Sequence, residues 1–238
     1  MKKIAIFQPP FLPWCGFFEI LMSVDYFVFF DDVQFVKKKF LNRNYVINNN
    51  KKFLLSVPIL NKDKFQNIKD IKIDKFQNWQ EKHFKIIMHS YKNSKNFEIL
   101  KPIIEKIYIK NQWEYLLELN VFIIKQLAKI LKIKNIKWFY SSELKIKGNK
   151  DGDRAIKICK ELDCYHIING PRSIDFLNLE LFKKHNINLS IINYKQKKYS
   201  QFKKSSQFIE NVSVIDAIFN CGNDFSLFLN QNNIQQIV

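Results

Sequence analysis

The sequence predicts an α/β fold in which a mostly parallel sheet is flanked by helices, with a helical insertion in the middle of the chain. Residues 3–7 and 26–30 are short, uninterrupted apolar runs, which is typical of strands covered on both faces. Residues 16–23 lie between them and have apolar side chains at helical spacing, so the three segments form a βαβ unit. Strand-like and helix-like segments alternate again after residue 136, as in other sheets of this class.

The remaining elements follow from the same patterns. Apolar runs or period-two alternation predict further strands at residues 53–59, 68–73, 136–140, 165–168 and 189–194. Apolar stripes and capping residues predict helices at residues 78–91, 97–109, 113–133, 153–162, 179–184 and 215–219. Asn78, Asp153 and Ser213 are expected to cap three of these helices at the amino end, and Gly222 is the expected C-cap of the last one. The basic, polar stretch of residues 37–50 is expected to be a loop with an Asn-Asn-Asn turn.

Size and composition indicate a globular protein. With 238 residues, 47% apolar and 15% aromatic, the chain is too rich in core-forming side chains to be disordered. We expect one domain over residues 1–238, with a helix-rich, lysine-rich insertion at about residues 78–134. Four cysteines without a CxxC pair suggest reduced thiols. No stretch has the length and apolarity of a membrane span, and no secretory signal is recognisable, so we expect a cytoplasmic protein.

The net charge of +17 raises the question of a nucleic-acid partner. Residues 1–36 sum to −2, residues 37–150 to +17 and residues 151–238 to +2, so the excess lies in the middle of the sequence. However, 36 of the 39 cations are lysine, and the chain is rich in Lys, Ile, Asn and Phe, as expected from A/T-rich coding. Charge alone therefore leaves both nucleic-acid binding and compositional drift open.

Polar side chains follow three predicted strands at their carboxyl ends, where ligands bind in open α/β sheets. Gln8 follows the first strand, and Asp31, Asp32 and Gln34 follow the second. The third is followed by Asn169-Gly170-Pro171-Arg172-Ser173, where we expect a turn that a larger side chain than Gly170 would distort. Its backbone N–H groups are expected to point at the crevice and bind an anion.

The chain has only three arginines: Arg43, Arg154 and Arg172. Because lysine serves as the ordinary cation here, arginine is expected where a planar guanidinium must bind a phosphate or carboxylate through two hydrogen bonds. A structural salt bridge is the alternative for each of them. The polar neighbours that we include among the candidate ligand-binding residues are Asn42, Asn44, Asp153 and Ser173.

The paired carboxylates Asp31 and Asp32 have more than one possible use. Adjacent strand residues point to opposite faces, so we expect one to face the crevice and the other to be structural. The carboxylate in the crevice could serve as a general base or help to hold Mg²⁺. Cys164 and His166 have no second pair to complete a zinc site, and we predict no metal centre and no tightly bound cofactor.

Several longer motifs resemble the WbqC-like family. The opening IAIFQPPFLPWCGFFEI and VDYFVFFDDVQFVKKKFLNRN are similar to the start of that family. In the second half, GDRAIKICKEL, YHIINGPRS, ELFKKHNINLS, KKYSQF and SVIDAIFNCG follow in the family's order. The resemblance implies a bacterial protein encoded among O-antigen, lipopolysaccharide and surface-polysaccharide genes, acting on amino sugars carried on nucleotides by acyl or aminoacyl transfer. Phe11, Trp14, Phe17 and Phe176 stand where many members have tyrosine.

A second resemblance concerns the fold alone. A strand, a proline-rich turn, a short helix and a strand ending in aspartate is also the layout of HxGH-type nucleotidyl transferases. Here Trp14-Cys15-Gly16-Phe17 would replace the HxGH motif, so both histidines that handle phosphate in that chemistry are missing. The first turn of the helix would still favour an anion.

Three functional hypotheses follow. The first is a transferase that moves an acyl or aminoacyl group to the amine of a nucleotide-linked sugar, with direct transfer because no nucleophile triad is recognisable. In it the three arginines bind the diphosphate and the acyl donor, Asp31 or Asp32 takes the proton, and the sugar hydroxyls bind Gln8, Asn42, Asn44 and Asn169. Cys15, at a helix start, is the one alternative nucleophile, against the simpler interpretation of a buried thiol.

The second hypothesis is an RNA-binding protein, or a transferase whose donor is an RNA such as a charged tRNA. The third is a non-catalytic scaffold of the glycan machinery. The sequence does not identify the sugar or the donor.

Overall fold

The computed structural model describes residues 2–60, 65–149, 151–201, 207–222, 224–225, 229 and 234–238. The strands are β1 Lys3–Phe7, β2 Tyr26–Phe29, β3 Arg43–Asn48, β4 Lys51–Ser56, β5 Ile59–Leu60, β6 Lys72–Ile73, β7 Lys137–Tyr140, β8 His166–Asn169, β9 Asn188–Ile192 and β10 Ile234–Gln236. The α-helices are α1 Cys15–Met22, α2 Trp79–Tyr91, α3 Phe97–Glu105, α4 Leu116–Ile130, α5 Ser141–Leu144, α6 Asp153–Glu161, α7 Leu179–Lys184 and α8 Val214–Cys221.

The main sheet has the strand order β10-β9-β8-β1-β2-β7. Strands β7, β2, β1, β8 and β9 are parallel, and β10 pairs antiparallel with β9 at one edge. Since parallel strands share one direction, all five carboxyl ends lie at the same edge of the sheet. This confirms the predicted α/β class with a mostly parallel sheet.

Helices cover both faces of this sheet. Neighbouring residues of β1 belong to different cores: Ala5 packs in the larger core with α1, α4 and α8, whereas Ile4 packs in the smaller core with α6 and α7. Burial on both faces explains why the central strands are continuous apolar runs rather than alternating ones.

The expected loop at residues 37–50 is wrong, because Arg43–Asn48 forms β3, which pairs antiparallel with β4. The Asn-rich turn is present as the two-residue connection of this hairpin. Asn49 and Asn50 both have positive φ (48° and 59°), as in the type I′ turns that match the twist of paired strands.

Other boundaries also differ from the expectation. Residues 68–73 form a short 3₁₀ helix, Ile68–Asp70, and the two-residue β6 rather than one strand. The helix expected at 97–109 ends as α-helix at Glu105 and continues as a π-helix to Lys110. Asp153 is the first residue of α6 rather than its cap, because Gly152 occupies the cap position with φ 106°.

Candidate functional site

The direction of chain progression through the sheet reverses between β1 and β8. From β1 the chain continues to β2 and β7 on one side, while β8 leads to β9 on the other. Ile4 pairs with Ile167 in parallel register, so Gln8 and Gly170, which follow the two strands, lie at the same edge. Connections that leave adjacent strands toward opposite faces open a crevice, and ligands of such sheets bind there. This edge is therefore the candidate site.

The loop after β8 leaves open space at Gly170. Its backbone is extended (φ −86°, ψ 160°), and a β-carbon there would meet no atom within 4 Å. The N–H of Gly170 donates to Asn169 Oδ1 at 2.9 Å, and its carbonyl oxygen accepts hydrogen bonds from the N–H and the hydroxyl of buried Ser173. The expected glycine-dependent turn with the Gly170 N–H free for an anion is therefore wrong. Arg172 is exposed on the same loop.

The first turn of α1 begins beside the crevice, and the indole of Trp14 lies against it. Trp14 is the N-cap residue and is 41% exposed. A β-carbon on Gly16 would come within 2.0 Å of the indole, so only glycine allows the ring to rest here. The other ring contact is with Tyr194, edge-on, with the centroids 5.0 Å apart. An aromatic surface thus stands at a helix start, whose free N–H groups favour anions.

Cys15 is part of the core. The side chain is 2% exposed, and burial raises the pKa of its thiol to about 12. A thiol with such a pKa stays protonated at neutral pH, so the environment opposes a nucleophilic role.

Three distant segments meet beside Trp14. Trp14 forms an isolated bridge with Ser213, the N-cap residue of α8. The N–H of Val214 donates to the carbonyl of Pro13, and the N–H of Ser213 donates to the carbonyl of Tyr45 in β3, both at 2.8 Å. α8 therefore fixes the loop after β1 and the β3–β4 hairpin next to the crevice.

Asp31 holds the start of α5. It is 2% exposed, and Oδ1 accepts a hydrogen bond from the N–H of Ser142 at 3.0 Å and lies 3.0 Å from Ser141 Oγ. Oδ2 accepts from Ser142 Oγ at 2.7 Å. Both carboxylate oxygens are thus engaged with the first turn of α5, which follows the neighbouring strand β7.

Asp32 is paired with Arg154. One guanidinium nitrogen, Nη2, donates to both carboxylate oxygens, at 2.6 and 2.8 Å, and Ser141 Oγ donates to Oδ1. Burial would raise the pKa of Asp32, but the hydrogen bonds from Arg154 and Ser141 outweigh it and hold the pKa below its usual value. Arg154 is fixed further by Nε donating to the carbonyl of Ile146 at 2.7 Å and by the ring of Phe30, 4.8 Å away.

This arrangement does not suit Mg²⁺. The oxygens of Asp31 and Asp32 already accept hydrogen bonds from serine and arginine donors, and the guanidinium of Arg154 contacts both oxygens of Asp32. Within the described ranges, no three His, Cys, Asp or Glu side chains converge as a metal site.

Asn42 and Asn44 lie inside the protein and organise backbone. Asn44 Nδ2 donates to the carbonyl of Leu12 at 2.7 Å and of Phe11 at 3.4 Å, so it holds the loop after β1. Asn42 Nδ2 donates to the carbonyl of Val57 at 2.9 Å. Both side chains are at most 5% exposed.

Asn120 of α4 also holds the loop after β1, as Asn44 does. It is fully buried, and Nδ2 donates to the carbonyl oxygens of Pro9 and Leu41 at 2.9 and 2.8 Å. The proline-rich loop and the segment before β3 are therefore joined through one amide. The Oδ1 atoms of Asn120 and Asn42 are buried without a hydrogen-bond partner in the described part of the chain.

The other candidate residues are spread out. Arg43 is half-buried at the start of β3, and its Nε has no hydrogen-bond partner among the described residues. Gln34 is exposed and bridges to Asn67. Asp153 pairs with Lys157 at 2.8 Å, and this contact lowers the pKa of its carboxyl. The structure brings Gln8, Asn169, Gly170 and Arg172 together, and places Asp31, Asp32 and Arg154 at the adjacent strand ends.

Sequence reasoning missed four residues that contribute to this region. Ser141 and Ser142 could have been noticed as hydroxyl residues directly after a predicted strand. Asn120 interrupts an apolar helical stripe, which marks a buried polar position. Tyr194 gave no signal beyond its place at a strand end.

Comparison with known proteins assigns the family. The model of the WbqC-like protein family matches residues 8–226. The chain is also 26% identical over 224 residues to the uncharacterized protein Rv1507c of Mycobacterium tuberculosis, covering 93% of this chain and 95% of that protein. None of the helices in the described ranges has the length and apolarity to cross a bilayer. The match extends over most of the sheet, the candidate crevice and α8, so the chain belongs to the WbqC-like protein family.

Proposed function

We propose that the protein is an enzyme that binds a nucleotide-linked amino sugar in the crevice between β1 and β8 and transfers an acyl or aminoacyl group to the sugar amine during surface-glycan synthesis. One observation supports the position of this binding site. At the point where the strand order reverses, the space over Gly170 is open and is flanked by the exposed Arg172. The substrate class rests on the family resemblance.

The crevice offers the three kinds of contact that such a ligand needs. The guanidinium of Arg172 suits a diphosphate, through two hydrogen bonds. The exposed indole of Trp14 suits a nucleobase, which stacks on aromatic faces. Gln8 and the amide hydrogens of Asn169 suit sugar hydroxyls. The open space over the glycine backbone at residue 170 lets the ligand approach closely.

The remaining candidates take positioning roles in this proposal. Arg154 fixes Asp32, Asn44 fixes the loop after β1, and Asn42 fixes the segment after β4 through the carbonyl of Val57. Arg43 is half-buried at the start of β3, and we assign its guanidinium to the acyl donor, where it would bind a carboxylate or a carrier phosphate.

The transfer step needs one proton acceptor. The amine nitrogen attacks the carbonyl carbon of the donor, the C–O bond of an ester such as a charged tRNA or the C–S bond of a thioester breaks, and the amine proton passes to the departing oxygen or sulfur. We assign Asp32 as the carrier of that proton. Its side chain is 22% exposed, whereas Asp31 is enclosed, so Asp32 is the carboxylate of this pair that a substrate can reach.

A thermal-shift screen tests the proposal. The wild-type protein is heated with UDP-, dTDP-, GDP- and CMP-linked amino sugars, and a ligand at 100 times its Kd should add about 2.7 kcal/mol to stability. Arg172→Ala should keep its own Tm and lose the ligand-induced shift, whereas the exposed control Lys132→Ala should keep both. A flat screen for the wild type overturns the proposal.

A further inference from the structure

The β3–β4 hairpin and the loop before it carry a second surface outside the crevice. Residues 33–60 contain six cations and no carboxylate. We define the hairpin surface as the exposed or half-buried side chains of Lys37, Lys38, Lys39, Phe40, Tyr45, Lys52 and Leu54. Both strands belong to a separate two-stranded sheet, so this face is not covered by the main sheet.

Aromatic and cationic side chains are interleaved on this surface. Phe40 is 54% exposed, and its ring centroid lies 6.5 Å from that of Tyr45. Lys52 Nζ is 5.9 Å from the centre of the Tyr45 ring. Leu54, directly opposite Tyr45 in the hairpin, is 38% exposed. A lysine-rich composition explains exposed lysines, but it does not explain exposed aromatic and aliphatic side chains between them.

We propose that the hairpin surface binds single-stranded nucleic acid. Proteins that bind single strands combine a positive path for the phosphates with aromatic rings on which the bases stack. Here Lys37, Lys38, Lys39 and Lys52 supply the charge, while Phe40 supplies an exposed ring. The complete absence of carboxylates in residues 33–60 favours a polyanion over an ordinary solvated face.

The hairpin surface adjoins the crevice. The N–H of Phe11 in the loop after β1 donates to the carbonyl of Phe40 at 3.0 Å, and the carbonyl of Tyr45 is bound by Ser213, which bridges to Trp14. Backbone hydrogen bonds thus join the hairpin surface to the loop that follows β1 at the candidate site. The binding surface itself does not depend on the transfer reaction, so the two proposals can fail separately.

Fluorescence anisotropy with a labelled, unstructured RNA of about 20 nucleotides tests the inference. We expect wild-type binding to weaken log-linearly with salt. The triple variant Lys37→Ala, Lys38→Ala, Lys39→Ala should reduce the salt slope by about 2, since each phosphate contact on a single strand contributes roughly 0.7. Phe40→Ala leaves the charge unchanged and should weaken binding at least about fivefold through lost stacking.

Matched control variants distinguish RNA binding at the hairpin surface from nonspecific binding to positive charge anywhere on the protein. The exposed lysines 129, 132 and 134 lie at and just after the end of α4, and their triple alanine variant removes the same charge. Phe76→Ala removes a ring that is 98% exposed and lies outside the hairpin surface. Unchanged binding in both controls, with losses in both hairpin variants, supports the inference. Equal losses in hairpin and control variants, no RNA binding, or a dimer that Phe40→Ala dissociates without RNA binding would overturn it.

Discussion

The indole ring of Trp14 rests against the backbone of Gly16, so close that a β-carbon on residue 16 would lie 2.0 Å from a ring carbon. No other residue type leaves room for the ring in this position. The glycine therefore acts through its neighbour: it places an exposed aromatic face at the start of α1, where the proposed ligand meets the sheet.

Gly16→Ala should displace the indole while the protein stays folded. Alanine favours a helix over glycine by about 1 kcal/mol, and a ring that is 41% exposed has room to swing into solvent. We expect a red-shifted tryptophan emission, a small change in Tm and loss of the ligand-induced thermal shift. In a Trp14→Ala background the same substitution should only stabilise, as a double-mutant cycle would show. An unchanged emission spectrum would contradict the packing described here.

Gly170→Val should fold normally and, unlike Gly16→Ala, should displace no neighbouring side chain. A β-carbon at residue 170 meets no atom within 4 Å, and the extended backbone there suits valine. The side chain would instead occupy part of the crevice and reduce affinity for the nucleotide-linked sugar. Urea unfolding checks the stability, and titration calorimetry checks the affinity. If the variant binds normally, the ligand does not pass over Gly170.

Asp31→Asn and Asp32→Asn should have different effects. In Asp31→Asn, an NH₂ group replaces an acceptor that Ser142 needs, and a buried donor without a partner costs about 1–3 kcal/mol. Asp32→Asn keeps an oxygen for Arg154 and should lose less stability, but it removes the proposed proton carrier. Comparing Tm with turnover distinguishes the two, and equal losses in both measurements would refute the assignment.

His83 makes stability depend on pH. It is 6% exposed among the rings of Phe11, Trp79 and Tyr108, and burial lowers its pKa from 6.5 to about 4. The unfolded chain therefore takes up the proton first as pH falls, so the stabilising contribution is complete above about pH 6.5 and is lost toward pH 4. The loss is at most about 3 kcal/mol.

Urea unfolding between pH 7.5 and 4.5 measures this effect. His83→Gln should flatten the pH dependence, whereas the exposed control His89→Gln should leave it in place. His166 is half-buried with a lowered pKa and contributes in the same direction, so some slope should remain. An identical slope in wild type and His83→Gln would show that the histidine is not kept neutral by the fold.

The sheet could be predicted from the sequence, but the hairpin could not. Central strands such as β2 are compact apolar runs, whereas β3 contains Arg43, Asn44 and Asn48 and looks like a polar loop. Its polarity is explained only by tertiary structure, because the side-chain amide of Asn44 donates hydrogen bonds to the carbonyl groups of Phe11 and Leu12. The left-handed pair Asn49-Asn50 was the one local sign of a hairpin.

For the candidate site, the sequence predicted which residues follow the strands but not what they bind. Asp31 and Asp32 follow β2 as expected, yet their partners Ser141 and Arg154 are more than 100 positions away in sequence. The same holds for Asn120 and Pro9. Pairings of this kind depend on how β7 and α4 pack against the first βαβ unit, which no local pattern encodes.

The contacts of Ser213 and Val214 with Tyr45 and Pro13 also have a consequence for how the protein folds. Loops close over roughly 170 and 200 positions when α8 docks, and contacts of such long range form late and slowly. A ribosome-bound chain can complete its first βαβ unit long before residue 213 is synthesised. During that interval the carbonyl groups of Pro13 and Tyr45 lack their final partners, so the edge of the sheet proposed to bind the substrate is completed only when the last helix arrives.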